Sequence, residues 1–176
     1  MTVEQAVQLR RSVRKFTSEP VKAADLDKIV EAGTVAPLAA GDYPTTHITV
    51  VQNHDLIEAI RAASHVESIK HPGVILDSLH GASTLILVSV SDISDDHIEY
   101  CNVATVVENM MLEATELNLG SCYIWSAIRI FQKDESIMSK LKLPANSTIL
   151  SGLVVGYAEK PLYVRENRER IAVTRI

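Results

Sequence analysis

The sequence predicts a mixed α+β fold built by a single domain over residues 1–176. Two observations support this prediction. Short β-rich segments alternate with segments whose apolar residues recur at helical spacing. One long segment, residues 97–119, is apolar on more than one side, which is typical of a central or interface helix. No internal repeat or interdomain linker interrupts the order.

The first half of the chain carries three predicted helices, a loop and a strand. In order, these are a helix over residues 2–9, a helix over 23–35, a loop over 36–44, a strand over 47–51 and a helix over 54–63. Asn53 is a good N-cap for the last of these helices. The loop contains two prolines, a glycine and several alanines, so a flat ligand could approach its backbone closely.

The second half is dominated by the long helix. Residues 64–81 fit no regular pattern, and the elements after them are a strand over 83–91, the helix over 97–119, a strand over 121–125, a helix over 131–141 and a strand over 148–157. Ser94 or Asp95 is expected to cap the long helix, and Gly120 is expected to end it.

Composition excludes several classes of protein. The net charge of −5 and the absence of Lys and Arg between residues 71 and 128 argue against nucleic-acid binding. No apolar run approaches the roughly 20 residues of a membrane span. Cys101 and Cys122 form no CxxC pair and the N-terminus has no signal-peptide pattern, which favours a reduced, cytoplasmic protein.

The most concentrated charge is Arg10-Arg11-Ser12-Val13-Arg14-Lys15-Phe16, called the basic turn below. Arginine forks, a lysine and a hydroxyl are suited to holding a phosphate. An ordinary solvated turn remains the alternative. A second group of cations, including Arg165 and Arg168, lies in the C-terminal tail and could meet the same anion. These tail arginines could equally pair with the neighbouring Glu166 and Glu169.

The sequence contains no motif for side-chain catalysis. It lacks GxGxxG, Walker A, GxSxG and HExxH patterns, so no tightly bound nicotinamide site, metal site or catalytic residue is predicted. The chemistry of an enzyme with this sequence would belong to a cofactor.

The chain resembles the FMN-dependent nitroreductase family in four segments. The basic turn is similar to the opening RRSxRxF motif, and residues 36–51 resemble the APSAxNxQPW loop with its strand. Residues 102–125 look like the central helix followed by GLGSCWI, and residues 153–157 resemble the last core strand. The resemblance covers nearly the whole chain.

This resemblance implies a nitroreductase-like fold with a central mixed or antiparallel sheet flanked by helices and a long buried helix at a dimer interface. It also implies a homodimer that binds FMN at the subunit interface and moves two electrons from NAD(P)H to a small-molecule acceptor such as a quinone or nitro compound. No nucleic acid or membrane is an implied partner.

The resemblance also implies which residues hold the cofactor. Arg10, Ser12 and Arg14 would contact the phosphate, ribityl chain and pyrimidine edge of the flavin, with Arg11 a weaker candidate. The partner subunit's loop would approach through Pro37, Leu38, Ala39, Ala40 and Gly41. Ile124, Trp125 and Ser126 would lie near flavin N5, and Arg165 or Arg168 would add a cation at the phosphate.

Two positions depart from the family pattern. Gly41 stands where many members have an Asn, and Thr45 where many have a Trp. The Gly-Asp-Tyr-Pro version of this loop is closer to that of thiazoline-oxidising dehydrogenases of the same fold. The sequence therefore leaves open a flavin carrier or sensor without efficient turnover, a structural dimer with a vestigial site, and a substrate-specific FMN dehydrogenase or oxidase.

Overall fold

The computed structural model describes residues 1–68, 71–164 and 171–176. Its α-helices are α1 Val3–Leu9, α2 Ala23–Thr34, α3 His54–Ala63, α4 Ile98–Glu116, α5 Ser126–Phe131 and α6 Glu135–Leu141. Its strands are β1 Thr46–Val51, β2 Val66–Glu67, β3 Ile75–Leu76, β4 Thr84–Ser91, β5 Gly120–Ile124 and β6 Ser147–Gly156. The α+β prediction is confirmed.

The sheet is antiparallel, with strand order β1-β4-β6-β5. Strands β2 and β3 form a separate small hairpin within the unassigned segment 64–81. In β4 every residue before Ser91 is buried, because helices cover both faces of the sheet.

Alternate residues of β4 enter two different apolar layers. Leu85 and Leu87 pack with α3, α5, α6 and the basic turn, whereas Ile86 and Val88 pack with α2 and α4. The side-chain period of two along a strand produces this division. Val13 and Phe16 of the basic turn belong to the first layer, so the turn is anchored by core packing.

Helix α4 is central to the second layer. Met110 and Val107 are fully buried within the subunit, and Met110 contacts the position of Gly33 on α2. A different side of α4 faces outward, with Ile98, Cys101 and Ala104 exposed. The single chain thus explains most of the apolar character of α4 and leaves one outward stripe.

The ends of α4 differ from the sequence prediction. His97, in the left-handed region at φ 59°, is the N-cap, while the Ser94 hydroxyl donates a 2.9 Å hydrogen bond to Glu99. At the other end Asn118 takes the left-handed position at φ 58°, and Gly120 already belongs to β5. A Cβ on Gly120 would lie 2.9 Å from Val13 Cγ1, so close packing explains this glycine.

The predicted helix over 131–141 is wrong in its extent. The chain forms α5 and α6 instead, with a break between Phe131 and Glu135. Asp134 caps α6 by accepting a 2.9 Å hydrogen bond from the backbone N–H of Ser136. In the part of the chain that the structure describes, no helix has the length and apolar character needed to cross a membrane.

Candidate functional site

The basic turn runs across the end of the sheet and is fixed to it by backbone contacts. Ser12 forms a parallel bridge with Ser121 of β5, and the Val13 N–H donates to the Ser121 carbonyl at 2.8 Å. Farther along, Phe16 forms an antiparallel bridge with Ala158, just after β6. Since Val13 and Phe16 point into the core, the polar residues between them are held on a rigid frame.

A groove of about 370 Å³ opens beside this frame. It is lined by residues 11–15 of the basic turn and by residues 158–163 after β6. Among these described residues, four cationic side chains, Arg11, Arg14, Lys15 and Lys160, face one carboxylate, Glu159. The groove is therefore suited to an anion.

Arg11 and Arg14 have no carboxylate within ion-pair distance in the described part of the chain. The Arg11 guanidinium instead lies 4.2 Å from the ring centroid of Tyr163, a cation–π contact that closes one side of the groove. Arg11 is half-buried and Arg14 is exposed. Both charges are thus available to a ligand.

Arg10 lies outside the groove. Its Nε is 3.2 Å from Glu108 Oε1, so it forms an ion pair that joins the end of α1 to α4. Its neighbour Arg11 lines the groove instead. The family resemblance implied Arg10 as a cofactor contact and Arg11 as a weaker candidate, whereas the structure places Arg11 in the groove and pairs Arg10 with Glu108.

Two titratable groups lie near Arg14. Burial raises the pKa of the Cys122 thiol, although the charge of Arg14 and a hydrogen bond with Ser12 oppose the shift. Burial lowers the pKa of His80, the charge of Arg14 lowers it further, and Asp77 opposes both. Cys122 is therefore a protonated thiol and His80 a neutral imidazole at neutral pH. Neither is an activated nucleophile.

The loop 37–41 lies against α4 and does not line the groove. The Ala39 N–H donates a 2.8 Å hydrogen bond to Asn102 Oδ1, and the Thr105 hydroxyl donates to the Pro37 carbonyl at 2.9 Å. Ala40 and Gly41 both have positive φ, at 55° and 66°. The side chains of α4 thus hold a small-residue loop in which Pro37, Ala39, Ala40 and Gly41 are exposed and Leu38 is half-buried.

We expect Asn102→Ala to loosen this loop. The substitution leaves the Ala39 N–H without its acceptor, and removing one such partner costs about 1–3 kcal/mol. Hydrogen exchange measured by NMR should show faster exchange at the amides of Ala39 and Gly41. Asn102→Asp keeps the acceptor oxygen and should exchange more slowly than Asn102→Ala.

Asn109→Ala is the matched control for this experiment. Asn109 also lies on α4, but its side chain donates to the Ala32 carbonyl of α2 at 3.1 Å. Removing this side chain should speed hydrogen exchange at the amides of α2 and leave the exchange rates of the loop amides unchanged. Equal effects of the two variants on the loop would show that α4 packing, rather than the Asn102 hydrogen bond, holds it.

The other residues predicted to bind the cofactor lie at the end of β5 or in the C-terminal tail. Ile124 ends β5 and is buried, whereas Trp125 is 49% exposed and Ser126 begins α5. Arg165 and Arg168 lie outside the described residues. The structure therefore brings Arg11, Ser12 and Arg14 together, and places the loop and the end of β5 elsewhere on the subunit.

Sequence reasoning missed several residues at these places. Lys160 and Tyr163 line the groove, but nothing in the local sequence distinguishes them from other tail residues. Asn102 carried a usable signal, because a polar residue within an apolar stretch of helix usually has a buried partner. His80 gave no signal, since its relation to Arg14 depends on the fold of residues 64–81.

Solved structures share this fold over their whole length. A nitroreductase with bound FMN from Bacteroides fragilis is 26% identical with a TM-score of 0.81, covering 100% of this chain and 98% of the other. A nitroreductase from Desulfitobacterium hafniense is 20% identical with a TM-score of 0.80, covering 99% and 100%. The second likeness concerns the fold alone.

Curated relatives and a family pattern agree with these likenesses. Proteins provisionally named NADH dehydrogenase/NAD(P)H nitroreductase match from Methanothermobacter thermautotrophicus, at 27% identity over 92% of this chain and 80% of the relative, and from Archaeoglobus fulgidus, at 25% over 90% and 88%. Residues 7–157 match the description of the Nitroreductase family, a range that includes the basic turn, the loop, α4 and β5. The chain belongs to the nitroreductase family.

Proposed function

We propose that this protein is an FMN-dependent oxidoreductase that passes two electrons from NAD(P)H to an electron-poor acceptor such as a quinone or nitro compound. The observation that carries this proposal is the cationic groove beside β5, in a chain of the nitroreductase family. NAD(P)H is proposed as the electron donor because the relatives from Methanothermobacter and Archaeoglobus are named for it.

The groove fits the phosphate end of FMN. A phosphate dianion needs charge-assisted donors, and Arg11 and Arg14 offer guanidinium groups that no described carboxylate neutralises. The Ser12 hydroxyl adds a donor on the same frame. Arg10 would contribute from behind, by holding the turn against α4. In the proposal the tail arginines Arg165 and Arg168 add further cations at the phosphate.

The FMN site would be completed by a second copy of the chain. Large apolar side chains lie exposed on the single chain, including Val3 at 77% exposure and Val35 at 64%. The exposed stripe of α4 lies beside the loop 37–41, so a homodimer formed there would carry the loop to its partner's groove.

FMN supplies the hydride chemistry when it is bound, by accepting a hydride at N5 and donating one to the acceptor. The protein's own residues would bind and orient the cofactor. Arg11 and Arg14 would hold the phosphate in the groove, with the Ser12 hydroxyl beside them. The backbone at Trp125 and Ser126 would offer an N–H near N5. No side chain acts as acid or base, and solvent supplies the proton.

A visible absorption spectrum of the purified protein tests this function. We expect flavin bands, at one FMN per chain, that bleach under anaerobic conditions with NADH or NADPH and return on addition of a quinone. Bound flavin that no nicotinamide reduces would instead indicate a carrier, sensor or dehydrogenase reduced by its own substrate. Failure to bind added FMN would overturn the proposal. Light scattering on the same sample should give twice the chain mass.

A further inference from the structure

Trp125 is the only tryptophan of the chain, and it lies on the surface. It follows β5 directly and is 49% exposed. Its backbone angles, φ −134° and ψ −52°, are not helical, and it precedes α5 without a side-chain capping bond. An exposed indole offers a flat apolar surface on which a planar ligand can stack.

A cation is held against this indole ring. Arg129 lies one turn along α5, and its guanidinium carbon is 4.9 Å from the centroid of the Trp125 ring. The Arg129 N–H donates to the Trp125 carbonyl at 3.3 Å, which keeps both residues in the same turn. In residues 1–68, 71–164 and 171–176, no carboxylate lies within ion-pair distance of Arg129. No described carboxylate therefore neutralises the Arg129 guanidinium that lies over the ring.

This pair lies at the opposite end of β5 from the basic turn. Ser121 bridges Ser12, and at about 3.3 Å per residue of extended chain Trp125 lies about 13 Å farther along. A cofactor whose phosphate occupies the groove would have to extend along β5 to bring its reactive ring to Trp125. The inference below rests on the proposed function in this respect.

We propose that Trp125 and Arg129 form an acceptor platform that selects planar aromatic acceptors carrying an anionic substituent. The indole stacks on the ring of the acceptor, and Arg129 pairs with its carboxylate or sulfonate. With naphthoquinone sulfonate, one NAD(P)H is oxidised to NAD(P)⁺ and the quinone is reduced to its hydroquinone. The hydride of the nicotinamide and one proton from solvent supply the two hydrogens gained.

The first test compares two acceptors with the FMN-loaded enzyme. Arg129→Gln should lower the ratio of kcat/KM for naphthoquinone sulfonate to that for naphthoquinone by roughly fivefold, the size of one exposed charge contact, and added salt should shrink the wild-type ratio. Arg129→Lys keeps the charge and should retain part of the preference. Lys133→Gln removes a nearby exposed cation and should leave the ratio unchanged. An unchanged ratio in Arg129→Gln would overturn the proposal.

The stacking role of Trp125 is tested by an internal comparison. In Trp125→Leu, kcat/KM for naphthoquinone sulfonate divided by that for dioxygen should fall roughly tenfold, about the effect of one aromatic stack. Dioxygen does not need to stack on Trp125. Any change in flavin occupancy or reduction affects both acceptors equally and therefore cancels in the ratio. Trp125→Phe should restore most of the ratio. Equal ratios in Trp125→Leu, Trp125→Phe and wild type would contradict a stacking role.

A binding measurement separates this inference from the proposed function. Because the chain has one tryptophan, its fluorescence reports on Trp125 alone. Titration with benzoate should change the emission saturably, benzyl alcohol should bind more weakly, and Arg129→Gln should abolish the difference. This titration requires no flavin reduction, so it tests the platform even if nicotinamides fail to bleach the flavin. Equal responses to benzoate and benzyl alcohol in wild type would refute anion selection.

Discussion

Replacing Arg11 and Arg14 together by alanine is expected to weaken FMN binding by at least about 100-fold and to leave the subunit folded. Hydrogen bonds to charged groups contribute about 1.5–3 kcal/mol each, so two cost at least about 3 kcal/mol. Neither arginine is part of an apolar layer, since Val13 and Phe16 make the core contacts of the basic turn. The loss should therefore be one of binding rather than of stability.

Riboflavin is the sharpest comparison for this variant, because it lacks only the phosphate. Calorimetric titration at fixed salt should show that the preference of the wild type for FMN over riboflavin collapses in Arg11→Ala/Arg14→Ala. Lys28→Ala/Lys140→Ala removes the same two charges from exposed positions on α2 and α6, outside the groove, and should keep the preference. If FMN affinity is retained in the arginine variant, the phosphate assignment is wrong. An equal loss of affinity for FMN and riboflavin would indicate that these arginines contact the flavin ring rather than the phosphate.

Local sequence signals located the basic turn but could not assign its individual arginines. Four cations around Ser12 indicate an anion site on their chemistry alone. Which of them faces the groove depends on Glu108, which lies on α4, far along the chain, and pairs with Arg10. The Tyr163 contact with Arg11 is equally nonlocal. Residue identity thus predicts an anion site at this turn, and tertiary contacts determine which of its arginines line the groove.

The fold was predictable where the apolar period was strong and local caps were present. Asn53 caps α3 by accepting a 2.9 Å bond from Leu56 N–H, as its sequence position indicated. The break between α5 and α6 was missed because the apolar residues Phe131 and Met138, which are seven positions apart, fit a helical pattern across it. Asp134 was the available signal, as a cap residue inside that pattern.

Gly152 shows how the fold can require a residue that no local pattern explains. It lies within β6 opposite Leu87 of β4, next to the register shift between Val88 and Ser89. A Cβ at this position would lie 2.4 Å from the Ile86 carbonyl oxygen. Backbone cannot move aside as a side-chain end can, so the two central strands must separate to admit a methyl group. We expect Gly152→Ala to destabilise the protein by about 3 kcal/mol, at the upper end of ordinary overpacking.

Thermal and urea unfolding of purified protein at one concentration would measure this effect, with a Tm roughly 10 °C below the wild type. Gly33→Ala is the matched control, since its Cβ would meet side-chain atoms rather than backbone, namely Met110 Cγ at 2.9 Å and Ile48 Cδ1 at 3.0 Å. Those side chains can shift, and alanine favours the helix by up to about 1 kcal/mol, so the net change should be small. Equal stability of the two variants would mean that β4 and β6 can separate at little cost. A large loss of stability in Gly152→Ala alone would show that the pairing of β4 and β6 at Gly152 is a rigid part of the fold. The chain continues from β6 directly to residues that line the groove.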